Sequence, residues 1–192
     1  MLTWVLNKVI KVIEFVVFLT ISFFWLHTIL LSLVGMSFLV FANDFVSMTL
    51  ATDNVKSTSN PNKWEVKKII LASFIPGLLY VMGDIIILLT GIKFFHLSMN
   101  ALTSLVMLSF IFNSQFRVLI VRERKHFWSS VPGKGLLIST TSAIIGIGLI
   151  GIFGIFVPSL NPFIVLAILG FSTLFALCID FPKYYLFKKF GL

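Results

Sequence analysis

The chain has 192 residues, of which 58% are apolar and 11% charged, whereas a soluble domain carries roughly 45–50% apolar and about 25% charged residues. With a mean hydropathy of +1.06, a soluble domain of this size could not hide its apolar surface, so a lipid bilayer must be its solvent and first partner. The net charge is +8, but the basic residues sit between apolar runs and not along one polar face, which points to membrane topology and away from nucleic acid.

A spanning helix needs about 20 mostly apolar residues, because each adds roughly 1.5 Å across about 30 Å of hydrocarbon. The first candidate is 8–26. It is too long for a signal peptide, lacks a small-residue cleavage site and runs almost directly into the second, 30–51, so it reads as a retained helix. A polar loop rich in Ser, Asn, Lys and Pro, 52–68, precedes the third span, 69–90, in which Pro76-Gly77 predicts a kink. The short turn 91–96 leads to the fourth span, 97–121. A basic loop, 122–134, leads to the fifth, 135–157, where Ser142 and Gly146 are small residues that permit close helix contact. The turn 158–162, Pro-Ser-Leu-Asn-Pro, leads to the sixth span, 163–179, and a basic tail follows. The predicted fold is all-α: a single polytopic domain over residues 1–192, built as a six-helix transmembrane bundle.

Placing both chain ends in the cytoplasm leaves Lys93 as the one basic residue, of 15 in all, on the outer side. This bias satisfies the positive-inside rule and supports an even number of spans. Trp4, Trp25, Trp64 and Trp128 fall at span ends as interfacial anchors. The chain has no Gly-rich phosphate loop, no metal-spaced Cys/His set and no Ser/His/Asp arrangement, so no catalytic residue or metal site is expected in it. The lone Cys178 can form no internal disulfide, and His27, His96 and His126 at the span ends receive no role.

Ionisable groups inside a bilayer cost about 2.5–3.5 kcal/mol each on insertion scales and tend to face the bundle interior. Asp44, beside Asn43 in an otherwise apolar helix, is the leading candidate for binding a proton or other cation. Asn-Asp is a poor helix pair, so the helix is expected to loosen there and offer carbonyl ligands; the alternative is a protonated Asp pinning helix to helix. Glu14 is the second candidate, sharing a helical face with Asn7 and Lys11, and an i,i+3 ion pair with Lys11 is its other reading. Asp84 is either an exit-side acid or a structural hydrogen-bond acceptor. Asn113 and Gln115 are expected to bond across helices, and Asp180 is expected to form a surface pair with Lys183.

These residues also carry a resemblance. Asn43-Asp44, Met48-Thr49, Asp53-Asn54-Val55-Lys56-Ser57 and Pro61-Asn62-Lys63-Trp64, followed by Arg122 and Phe127-Trp128-Ser129-Ser130-Val131-Pro132, resemble the C-terminal membrane portion of P-type ATPases. The plasma-membrane proton-pumping type is the most similar, and the six spans would be that family's fifth to tenth. The resemblance implies that Asp44 matches the proton-carrying aspartate of the sixth helix. It implies a multi-pass protein of the plasma membrane that moves H+ or another cation. Departures are Phe45 after Asn-Asp where Gly is usual, Glu14 near where a basic residue is usual, and Asn54 where Arg is usual. The phosphorylation, nucleotide-binding and actuator domains of the family have no counterpart in the sequence, so the chain alone is not expected to hydrolyse ATP. The complete pump would need ATP and Mg2+, together with a separate chain carrying the cytoplasmic domains and the first four helices. A split gene, a truncated reading frame or a remnant is the implied origin. The competing readings are a non-transporting remnant or auxiliary structural subunit and, less well supported, an oligomeric channel, for which no polar stripe recurs along any helix.

Overall fold

The structure is a computed structural model describing residues 2–50, 53–54 and 65–190. Six α-helices follow in order: α1 (Leu2–Leu26), α2 (Leu33–Thr49), α3 (Val66–Lys93), α4 (Met99–Val121), α5 (Lys134–Phe153) and α6 (Pro162–Phe190). All but α2 are long and apolar enough to cross a membrane. With 17 residues, α2 reaches only about 26 Å at 1.5 Å per residue, which is shorter than the expected span 30–51.

Local chemistry sets the helix ends. The α1–α2 turn passes through His27 at φ 53°, and Ser32 caps α2 by accepting from Gly35 N at 3.0 Å. Ser98 caps α4 in the same way through Ala101 N. Gly154 stops α5 in the left-handed region at φ 68°, four residues before the predicted end, and Ile155 N closes the turn on Ile150 O at 3.1 Å. At the other extreme, α6 continues eleven residues beyond the expected 179, through Pro182, so the basic tail to Phe190 is helical.

The helix with the most polar sequence is the innermost. α4 carries Ser104, Ser109, Asn113, Ser114, Gln115 and Arg117, all buried, and it touches each of the other five helices. Hydrocarbon offers no hydrogen-bond partners, so a helix bearing these side chains is stable only where other helices surround it. The outer faces of α1, α2, α5 and α6 are apolar and exposed, with Phe24, Phe41, Leu33, Ile138 and Leu174 among them, as suits lipid contact. Helices approach closely where Gly77 of α3 meets α1. A Cβ there would lie 2.8 Å from Ile13 Cγ2, so the small residue sets the α1–α3 spacing. The helix α3 runs unbroken through Pro76. On α5, Gly151 packs on Leu108, whereas Gly146 faces open space. The small-residue contact of α5 therefore uses a different glycine from the expected one.

One end of the bundle is tied by polar loops. Asp53, just after α2, pairs with Arg122 at 2.9 Å and accepts from Gly133 N at 2.7 Å. This brings together two stretches that carry the family resemblance. Residues 55–64, including Trp64 and the Pro-Asn-Lys-Trp stretch, lie outside the described residues. Lys183 and Asp180 are fully buried and pair at 2.8 Å, which corrects the expected surface pair. The reason is the length of α6: Lys183 Nζ reaches the carbonyls of Ile120, Glu123 and Lys125 at 3.2, 3.0 and 2.6 Å and satisfies the C-terminal end of α4. His126 Nδ1 lies 2.7 Å from Asp180 and stacks on Trp128 and Tyr184.

Candidate functional site

Midway into the bundle, α1, α3 and α4 each contribute a buried ionisable side chain to one cluster: Glu14, Asp84 and Arg117, at 1%, 2% and 0% exposure. Arg117 is the organiser. Its Nε donates to Asn7 Oδ1 at 2.9 Å, its Nη1 pairs with Glu14 Oε2, and its guanidinium lies 5.3 Å from the Tyr80 ring centroid. A planar fork with several fixed donors suits such a role better than an ammonium would, and the aromatic face adds a cation–π contact.

Asp84 is held from α4. Its Oδ1 accepts from Asn113 Nδ2 at 2.8 Å and from the Ser109 hydroxyl. Ser109 and Asn113 stand four residues apart, so they share a face of α4 and reach the same oxygen. The carboxyl groups of Glu14 and Asp84 also interact with each other, side chain to side chain. Glu14 Oε1 and Asp84 Oδ2 receive no donor from the described residues, and Asn113 Oδ1 and the Tyr80 hydroxyl beside them are likewise without a partner. Two carboxyl groups, one guanidinium and spare oxygen acceptors make a dry site with one negative charge beyond what Arg117 balances. Such a site is suited to holding a single positive charge.

The predicted site residues divide accordingly. Glu14 and Asp84 are brought together, but the ion partner of Glu14 is Arg117 of α4 and not Lys11. Asp84 is indeed bonded across helices, by Asn113 as expected; Gln115 bonds only to its neighbour Ser114, at 3.3 Å. Asp44 lies elsewhere. Its side chain is 55% exposed on the open flank of α2, 3.5 Å from Lys8 of α1, in place of the dry inter-helix position expected for it. Asn43 is buried but donates to Leu39 O of its own helix at 2.8 Å. α2 runs through the Asn-Asp pair without a break, so no loosened carbonyls are offered there. Ser and Asn side chains satisfy i−4 carbonyls without opening a helix, which is what Asn43 does.

Arg117, Ser109 and Tyr80 were not singled out from sequence. The charge bias places Arg117 with the cytoplasmic basic residues, yet it lies inside the bundle. The signal was present: a lone base inside one span, with lone acids inside two others, calls for a match.

With this geometry in hand, one similarity bears on function. Over 126 residues the chain is 24% identical to a protein of Methanocaldococcus jannaschii named "Putative cation-transporting ATPase MJ1226". The match takes in 66% of this chain and 16% of that protein, so the chain spans about a sixth of the length of the curated relative. No family model matches the chain.

Proposed function

We propose that this chain is the ion-translocating membrane half of a cation-transporting P-type ATPase of the plasma membrane. It would work with a separate chain that supplies the phosphorylation, nucleotide-binding and actuator domains and the remaining membrane helices. The observation that carries the reading is the buried acid cluster on α1, α3 and α4. A charged cluster this dry is costly in a bilayer-spanning bundle unless it serves a charge in transit, and the similarity to a protein named as a cation-transporting ATPase agrees in kind.

Asp44 keeps a place in this proposal. On this reading the partner's helices pack against the α1–α2 flank and cover the Asp44–Lys8 pair, turning an open surface into an inter-helix site. Asn43 then has a positioning role, as the buried anchor of α2 behind Asp44. The transported ion is a proton, or a cation small enough to share its site. ATP and Mg2+ act on the partner chain in this proposal.

The test is ATP-driven flux in vesicles from cells that produce this chain together with a candidate partner bearing the ATPase domains. Flux that requires both chains and falls at least tenfold in Asp44→Asn supports the proposal. Flux unchanged in Asp44→Asn removes the carrier role of Asp44. Flux that needs only the partner leaves this chain as an auxiliary structural subunit.

A further inference from the structure

Glu14 and Asp84 differ from Asp44 in a way that defines a second site with its own chemistry. Asn113, which holds Asp84, stands one turn of α4 from Arg117, which holds Glu14, so the two carboxyl groups are neighbours, and two carboxyl groups can hydrogen-bond to one another only when one of them carries a proton. The remaining oxygens are accounted for: Glu14 Oε2 pairs with Arg117 Nη1, and Asp84 Oδ1 accepts from Ser109 and Asn113. The oxygens left without a donor are Glu14 Oε1 and Asp84 Oδ2, one from each group. We infer that these two oxygens share a single proton, with the Arg117 guanidinium balancing the one negative charge that remains on the pair.

The charge count supports the assignment. Among the buried groups, two carboxylates and one guanidinium leave one surplus negative charge, and one proton brings this trio to neutrality; the Lys11 ammonium is only half-buried and lies over the Phe15 ring, outside the trio. A buried cluster is stable near neutrality and costly away from it. A metal ion would also balance the charge, but it would have to sit beside a guanidinium fixed against Glu14, which repels it, whereas a proton lies on the oxygens themselves. The chemistry is a proton transfer: one O–H bond forms on a carboxylate oxygen as one O–H bond of a hydronium ion breaks and releases a water molecule. Among the described residues, the titratable groups that face the pair are Arg117 on α4, the Tyr80 hydroxyl on α3 and, more remotely, Lys11 on α1, whose ammonium lies 5.6 Å from the Phe15 ring centroid.

This inference deepens the proposed function by naming the ion at a site apart from Asp44, and its test does not depend on the partner chain. The full chain is reconstituted in lipid, and infrared difference spectra are taken in H2O and D2O near neutral pH. The protonated-carboxyl C=O band is the readout. One such band is expected in the parent protein and in Arg117→Lys, unchanged by added Na+ or K+. It should vanish in Glu14→Gln and in Asp84→Asn, because the remaining carboxylate is then balanced by Arg117. It should double in Arg117→Gln, where both acids must be neutral. A parent protein without the band overturns the inference, as does a band removed by Asp44→Asn or abolished by Na+ or K+. ATP-driven flux does not enter this measurement. A missing band with intact flux sinks the shared proton alone, whereas a present band with no flux in the two-chain pump sinks the pump reading alone.

Discussion

Glu14 on α1 and Asp44 on α2 look alike in sequence, each an isolated acid in an apolar helix, and each lies beside a basic side chain in the structure. Their surroundings are opposite. Glu14 and its partner Arg117 are sealed between three helices, whereas Asp44 and Lys8 sit on an open flank with most of the Asp44 side chain exposed. The difference shows that an acid's place along a helix fixes its depth, while its face is fixed by the partners other helices bring. α4 brings Arg117 to Glu14; among the described residues, no helix covers Asp44.

That contrast is broken or sharpened most strongly at Arg117. Arg117→Leu leaves Glu14 and Asp84 buried without a cation and is expected to destabilise the bundle by about 3–5 kcal/mol. Chemical denaturation of the full chain in mixed micelles measures it, and a loss no larger than that of a surface variant would remove the cluster from the core of the account. Gly77→Ala comes next. Its new methyl meets Ile13 at the α1–α3 contact, and overpacking of this kind costs about 1–3 kcal/mol. Because α1 and α3 carry Glu14 and Asp84, the same variant should weaken the protonated-carboxyl band, whereas Gly146→Ala, facing open space, should leave both stability and band alone.

Lys8→Ala belongs to the other region and should shift stability by less than about 1 kcal/mol, since exposed pairs contribute little. A large effect would mean that the α1–α2 flank is covered in the protein as purified. The smallest effect is a pH dependence at the 122–133 loop. Glu123 is only partly shielded; burial opposes ionisation, but the Ser130 hydroxyl, the Lys125 and Arg124 backbone N–H groups and the nearby Arg122 together hold its carboxyl below the ordinary glutamate value. A lowered folded-state value means that the loop's added stability is complete above the ordinary glutamate pKa and fades as pH falls through the lowered one. Limited proteolysis of this loop should therefore quicken on acidification below that range and stay constant above it. Faster cleavage on raising the pH would reverse the sign.

Much of the architecture was legible because hydrophobic length is the dominant signal in a bilayer. All six helices fall where the apolar runs place them. The errors are at ends and faces. Gly154 stopped α5 early through a left-handed conformation that composition alone does not locate. α6 ran on because Lys183 found carbonyl partners at the end of α4, a contact between residues some sixty positions apart. Of the acid site, Glu14 and Asp84 could be read as costly buried charges, but their union could not, since Arg117 joins them only through the packing of α1, α3 and α4. The loosened helix expected at Asn43-Asp44 is absent, because Asn43 satisfies Leu39 O and α2 continues through the pair.

The central claim is that Arg117 and Glu14 form one energetic unit inside the bundle. A double-mutant cycle of Glu14→Gln and Arg117→Gln, read by denaturation of the full chain in mixed micelles, tests it most directly. The account predicts that the double variant is more stable than the sum of the two single losses allows, with a coupling of about 1–3 kcal/mol. Strict additivity of the two single losses would contradict it.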